Sequence, residues 1–216
     1  MATRKGKTFT FEKEIRVLAS AGVAGRLEGE GPLGKCFDKV FEDTTMGEKA
    51  WEKAESDLLS AAMQTALKKG NMKEKDIDAV FAGDLLNQCI SSGFTLRGMD
   101  VPFGGMFGAC STMALSSIAA CLALESGAMN ICMAATSSHF CSAEKQFRFP
   151  LEYGGQRTPT AQRTVTGAGA LILGESRLKS LPRIKAAHLG TVQDLGIIDS
   201  TNMGAAMAPV DVKIEP

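Results

Sequence analysis

Two short stretches limit the possible folds more than anything else in this chain. Residues 79–84, with Ala79, Val80, Phe81, Ala82 and Gly83 ahead of Asp84, and residues 129–135 lack the polar alternation of a half-exposed strand. Strands of that kind are buried on both faces, so their sheet must carry a layer on each side. The sequence between and around them supplies helices for those layers. Trp51, Ala54, Leu58, Leu59, Ala62, Met63, Ala66 and Leu67 keep helical spacing, and Gly70-Asn71 stops the run. Residues 111–125 are rich in Ala, Leu, Met and Ile and are closed by Gly127. Further strands are expected at 16–22, 167–174 and 183–191, with a weaker candidate at 104–108. Residues 1–14 read as a loose basic start, 25–34 as loop and 140–163 as irregular chain. The alternation of strands and helices predicts an α/β layered fold.

The chain has 216 residues, enough for one large domain or two small halves. Twenty-four Lys and Arg balance 24 Asp and Glu, which excludes a general nucleic-acid binder because no basic excess exists. Charged residues at 22% and hydrophobic ones at 44% exclude a disordered chain. Six cysteines stand at 36, 89, 110, 121, 132 and 141, with no CxxC pair and no zinc-type spacing, so no metal ligands are assigned. No apolar leader follows the basic N-terminus, and reduced thiols are the expected state. Residues 101–124 hold no charge, yet Pro102, three glycines and four hydroxyl side chains divide them into two buried elements. No transmembrane helix is expected.

The best place for chemistry is Phe107-Gly108-Ala109-Cys110-Ser111-Thr112. A strand, a glycine turn and a long apolar helix put Cys110 at or beside a helix N-cap. Free N–H groups and the positive end of the helix dipole favour a thiolate there, and the same groups can hold a carboxylate or an oxyanion. Cys110 is therefore read either as a nucleophile for acyl transfer or as the sulfur lining of an anion pocket, with a buried structural cysteine as the plain alternative. Ser111 and Thr112 belong to the same turn, and Phe107 stands beside it. His139 follows a strand end, where α/β folds gather site residues, and is either the one plausible base or a turn histidine bonded to local backbone; His188 falls mid-strand. Asp84 and Asn87 follow another strand end and could line the same crevice or cap a turn. Arg148, between Phe147 and Phe149, suits a planar carboxylate or covers apolar surface with its stem. Cys121 and Cys132 are read as core. The basic cluster Arg177, Lys179, Arg183 and Lys185 is read as a solvated turn.

Gly108-Ala109-Cys110-Ser111 after a buried strand, followed later by Thr166-Gly167-Ala168-Gly169-Ala170, resembles the N-terminal half of the thiolase and ketoacyl-synthase superfamily. Longer stretches sharpen the likeness. They are Gly31-Pro32-Leu33-Gly34, Ala82-Gly83-Asp84-Leu85-Leu86-Asn87-Gln88, Ala134-Ala135-Thr136-Ser137-Ser138-His139, Ala143-Glu144-Lys145-Gln146-Phe147-Arg148-Phe149-Pro150 and Glu152-Tyr153-Gly154-Gly155-Gln156. Together they resemble the stage V sporulation protein AD family over about residues 9–208. The resemblance implies a thiolase-like layered α-β-α-β-α fold, here its first half, and a homodimer. It implies binding of dipicolinic acid and a part in moving calcium dipicolinate during sporulation and germination. Membrane-embedded proteins of the same operon are the implied partners, at a peripheral position on the inner spore membrane. In the wider superfamily the cysteine matching Cys110 carries the acyl group, so an acyltransferase using coenzyme A thioesters is the rival expectation; otherwise no cofactor is implied. A scaffold that only docks on those partners is a third. Family chains are longer, so residues 1–208 are expected to form the first half and 209–216 a divergent or truncated tail.

Overall fold

The computed structural model describes residues 2–147, 163–191 and 210–215. In chain order its elements are β1 (Thr3–Lys5), β2 (Thr8–Thr10), β3 (Ile15–Gly25), α1 (Arg26–Gly29), β4 (Lys39–Phe41), α2 (Trp51–Lys69), β5 (Ala79–Asp84), α3 (Ile90–Leu96), β6 (Phe103–Gly105), α4 (Thr112–Ser126), β7 (Ile131–Ser138), α5 (Phe140–Phe147), β8 (Gly167–Glu175), β9 (Arg183–Leu189) and β10 (Val210–Glu215). The described strands make one mixed sheet in the order β1-β2-β9-β3-β8-β7-β5-β6, with β10 along β9 and β4 along the end of β3. Strands β6, β5 and β7 run parallel, while β7–β8 and β8–β3 are antiparallel.

The two faces of this sheet carry different helices, and the strand pleat sorts the side chains between them. On β7, Met133 and Ala135 join the core under α2, together with Val80 and Ala82 of β5 and Ile172 of β8. Cys132 and Ala134 point the other way, into a second core with Ile118, Cys121 and Leu124 of α4. Both sets are apolar, which is why β5 and β7 show no polar alternation. Helix α2 presents Leu58, Leu59, Ala62, Met63 and Ala66 at helical spacing, none more than 2% exposed. Burial of each larger side chain in that stripe contributes roughly 1.5–3 kcal/mol. Helix α4 ends at Gly127, whose φ of 80° only glycine adopts without strain.

Several local expectations need correction. The N-terminal segment is not loose: β1 and β2 pair as a hairpin, and β2 continues onto β9. The glycine-rich stretch after β3 begins with the short helix α1. The segment from residue 140 starts with helix α5, whose Phe140, Ala143 and Phe147 spacing was masked by the glycines and proline that follow it. Residues 148–162 lie outside the described part, as does the Arg148 assignment with them. Arg183 and Lys185 sit in β9, and Arg183 pairs with Glu14 at 2.8 Å.

Candidate functional site

Parallel strands deliver their carboxyl ends to one edge of the sheet. Gly105 of β6 lies opposite Ala82 of β5, and Asp84 of β5 lies opposite Ser137 of β7. The turn to Cys110, the Asp84 carboxylate and His139 all leave the sheet at this edge.

The chain leaves β6 by crossing directly over Gly83. The Met106 N–H donates to the Ala82 carbonyl at 2.9 Å, and a Cβ on Gly83 would come within 1.8 Å of the Met106 carbonyl oxygen. Glycine at 83 is what lets the cysteine turn lie so close to β5. The turn then closes on itself. Ser111 donates to the Gly108 carbonyl through its N–H at 2.9 Å and its hydroxyl at 2.6 Å. The Thr112 hydroxyl donates to the Ala109 carbonyl at 2.8 Å and accepts from the Gly108 N–H at 3.2 Å. Ala109 takes a left-handed φ of 46°, which costs a residue with a Cβ roughly 1–2 kcal/mol. These bonds hold that conformation, and Cys110 is exposed just after it, two residues ahead of the first residue of α4. No side chain caps α4, but the Thr112 N–H donates to the Ala109 carbonyl and the Ser111 N–H to the Gly108 carbonyl, so what the turn faces is the positive end of the helix dipole. Phe107 stands beside the turn, 47% exposed. Phe107 and Cys110 are thus exposed at this turn, whereas Thr112 is buried and the Ser111 and Thr112 hydroxyls are engaged inside it.

The other assigned residues are placed differently. Asp84 is fully buried and does not face an open crevice. It accepts from the Ser92 N–H and hydroxyl, both at 2.7 Å, and from the Leu86 N–H at 3.1 Å. Those bonds tie α3 to the end of β5 across Gln88 and Cys89, both left-handed at φ 66° and 53°. The described part of Asn87 is backbone in the turn Asn87–Cys89, and the side chains of Asn87 and Phe147 lie outside it. Burial, with the Asp84 charge adding to it, pushes the Cys89 thiol above its ordinary range.

His139 is 1% exposed and packs on the α2 side. Its Nδ1 accepts the Cys141 N–H at 3.1 Å, so Nε2 carries the proton and donates to the Thr44 carbonyl at 2.9 Å. The ring stacks on Trp51, the first residue of α2, with centroids 5.4 Å apart. Burial keeps the imidazole below its usual pKa, hence neutral. Cys110 instead heads α4, on the other layer. With both ring nitrogens engaged by backbone, His139 does not form a dyad with Cys110, and no described residue bonds to the Cys110 sulfur. His139 borders a cavity of about 250 Å³ with Arg26, Glu28, Thr44, Phe140 and Arg163, the last lying 4.2 Å over the Phe140 ring. Among the described residues no group of three or more His, Cys, Asp or Glu could hold a metal.

Sequence reasoning missed Glu55, which is fully buried on α2. Ser137 and Ser142 donate to its two oxygens at 3.0 and 2.7 Å. Burial, with Asp84 adding to it, pushes its pKa up to about 7. The signal was present: Glu55 sits on the apolar stripe four residues before Leu59, where a charge does not belong.

A mixed sheet between two helix layers is the thiolase-like layered fold. The solved structures agree on the fold. Cerulenin-bound OleA of Xanthomonas campestris matches with a TM-score of 0.58 at 14% identity, covering 88% of this chain and 66% of that one. A second cerulenin-bound OleA, a variant, matches with a TM-score of 0.59 at 13% identity, covering 84% and 63%. The family model described as Stage V sporulation protein AD matches residues 5–214, and the chain belongs to that family. It is 44% identical over 203 residues to Stage V sporulation protein AD of Bacillus subtilis (strain 168). That match covers 94% of this chain and 60% of the relative, so the chain spans about three-fifths of the relative's length.

Proposed function

We propose that this chain supplies the cysteine-turn part of a sporulation protein that binds dipicolinic acid. Family membership supports the sporulation role, and the Cys110 turn is the observation that carries the binding reading. A pyridine dicarboxylate needs donors for its carboxylates and a surface for its ring. The positive end of the α4 dipole suits a carboxylate, the exposed Phe107 ring suits the pyridine, and the Cys110 sulfur lines the space between. In this reading the protein takes part in moving calcium dipicolinate into and out of the spore. It acts at the inner spore membrane as a peripheral homodimer beside membrane-embedded partners.

Acyl transfer is the second reading, favoured by the exposure of Cys110 at a helix start in a thiolase-like fold. There the Cys110 sulfur attacks the carbonyl of an acyl-CoA, a new thioester forms, and coenzyme A leaves as its thiol. His139 is engaged elsewhere, so the base for that step must come from outside the described residues.

Calorimetric titration of dipicolinate into the protein, with and without calcium, tests the first reading. Binding that weakens in Cys110→Ala while the unfolding midpoint holds is expected; equal affinity in the variant contradicts this placement. A stable mass increase on Cys110 after incubation with acyl-CoA would instead favour the second.

A further inference from the structure

Glu55 has no part in the site at Cys110, yet four elements converge on it. Helix α2 carries it, β7 reaches it through Ser137 and α5 through Ser142. Helix α3 contributes Ser91, whose carbonyl also accepts from the Ser56 and Thr95 hydroxyls at 2.9 Å each. Ser91, Ser137 and Ser142 are each at most 5% exposed. The titratable and charged groups around this seam are Asp84 on β5, Cys89 ahead of α3, Glu52 one turn back on α2, and His139, Glu144 and Lys145 at α5. Lys145 closes the outer end of the seam on Glu52 at 3.0 Å.

The position of Ser142 gives the cluster two states. Its hydroxyl lies 2.7 Å from Glu55 Oε2 and 3.0 Å from the His139 carbonyl oxygen, and it has one proton to donate. With Glu55 ionised, that proton goes to the carboxylate, and a buried negative charge stands near the Asp84 carboxylate. With Glu55 protonated, the carboxyl donates to Ser142 and Ser142 donates to the His139 carbonyl, so each group in the relay is satisfied and no second charge is buried beside Asp84. We propose that Glu55 is a proton-operated latch between α2 and α5: protonated, it completes the relay through Ser142 to the His139 carbonyl, and ionised, it loosens α5.

The raised pKa fixes the direction. In the closed seam it is about 7, against an ordinary value near 4.5 once α5 opens and water reaches the carboxyl. The latch is fully closed below about pH 4.5 and its contribution is lost as pH rises through about 7. Between about pH 5.5 and about pH 8 the local opening constant of α5 therefore rises by roughly thirtyfold. What α5 controls is the wall of the cavity beside it, because His139 and Phe140 stand at its start.

Amide hydrogen exchange over residues 140–147, read by mass spectrometry on the whole protein and corrected for the intrinsic pH dependence of exchange, tests this directly. Protection is expected to fall by roughly thirtyfold across that range in the unmodified protein. In Glu55→Gln the amide donates to Ser142 at every pH, so protection should stay high and flat. In Ser142→Ala the relay is cut, so protection should be lower at every pH, while the buried Glu55 carboxyl keeps its pH dependence. A flat profile in the unmodified protein, an unchanged pH dependence in Glu55→Gln, or undiminished protection in Ser142→Ala overturns the latch.

Discussion

Gly83 and Met106 approach so closely that a Cβ at position 83 would lie 1.8 Å from the Met106 carbonyl oxygen, with Thr112 Cγ2 only 2.7 Å away. Neither the backbone of β6 nor the start of α4 can withdraw without breaking the pairing of Gly105 with Ala82. Gly83→Ala is therefore expected to destabilise the protein by roughly 2–4 kcal/mol. Urea unfolding measures it. The same variant should also displace the Cys110 turn, read as a changed alkylation rate at Cys110 in the still-folded fraction.

His139 works in the opposite direction from Glu55. Burial holds its pKa below the ordinary value, so the unfolded chain takes up a proton that the folded chain refuses. Its contribution is present above about pH 6.5 and is lost as pH falls through the lowered folded value, about 1.4 kcal/mol for each unit of depression. In Glu55→Gln, where the opposing group is gone, the unfolding midpoint should drop on acidification below about pH 6.5. Adding His139→Gln should flatten that drop; persistence of the full drop would assign it to another group.

The six thiols should separate by position. Burial pushes Cys121 up to about 12 and Cys132 up to about 11, so both resist maleimide until the protein unfolds. Cys36 and Cys110 are exposed and should label first, with Cys89 and Cys141 between the two groups. Peptide mapping after timed labelling gives the order.

Helix α4 carries a single charge, Glu125, and apolar side chains on more than one side. One side packs on β5 and β7, and Leu122 on the other is 37% exposed. Exposed apolar side chains of this kind make a sticky face. Leu122→Lys should lower concentration-dependent self-association, read by light scattering, while changing stability by less than about 0.5 kcal/mol. Unchanged association would show that α4 is not the face involved.

The strong elements were legible because one physical cause produced each pattern. The stripe from Trp51 to Leu67 gave α2, and the unalternating runs gave β5 and β7, since burial on one side or both writes itself into the sequence. The turn at Cys110 was legible because strand, glycine and apolar helix follow one another directly. The short elements were not. Helix α3 begins after two left-handed residues, Gln88 and Cys89, held by the Asp84 carboxylate from β5. The roles of Asp84 and His139 depend on Ser92, Thr44 and Trp51, none adjacent to them in sequence. Glu55 went unassigned because Ser137 and Ser142, which enclose it, stand 82 and 87 positions away.

The central claim is that the turn at Cys110 holds the ligand, and protection of that thiol tests it most directly. The protein is alkylated under limiting conditions with and without dipicolinate, and the rates at Cys110 and Cys36 are compared by peptide mass. Both thiols are exposed, so Cys36 reports any change unrelated to the site. Dipicolinate is expected to slow modification of Cys110 severalfold and leave Cys36 unchanged. Equal rates at Cys110 with and without saturating dipicolinate would contradict the account.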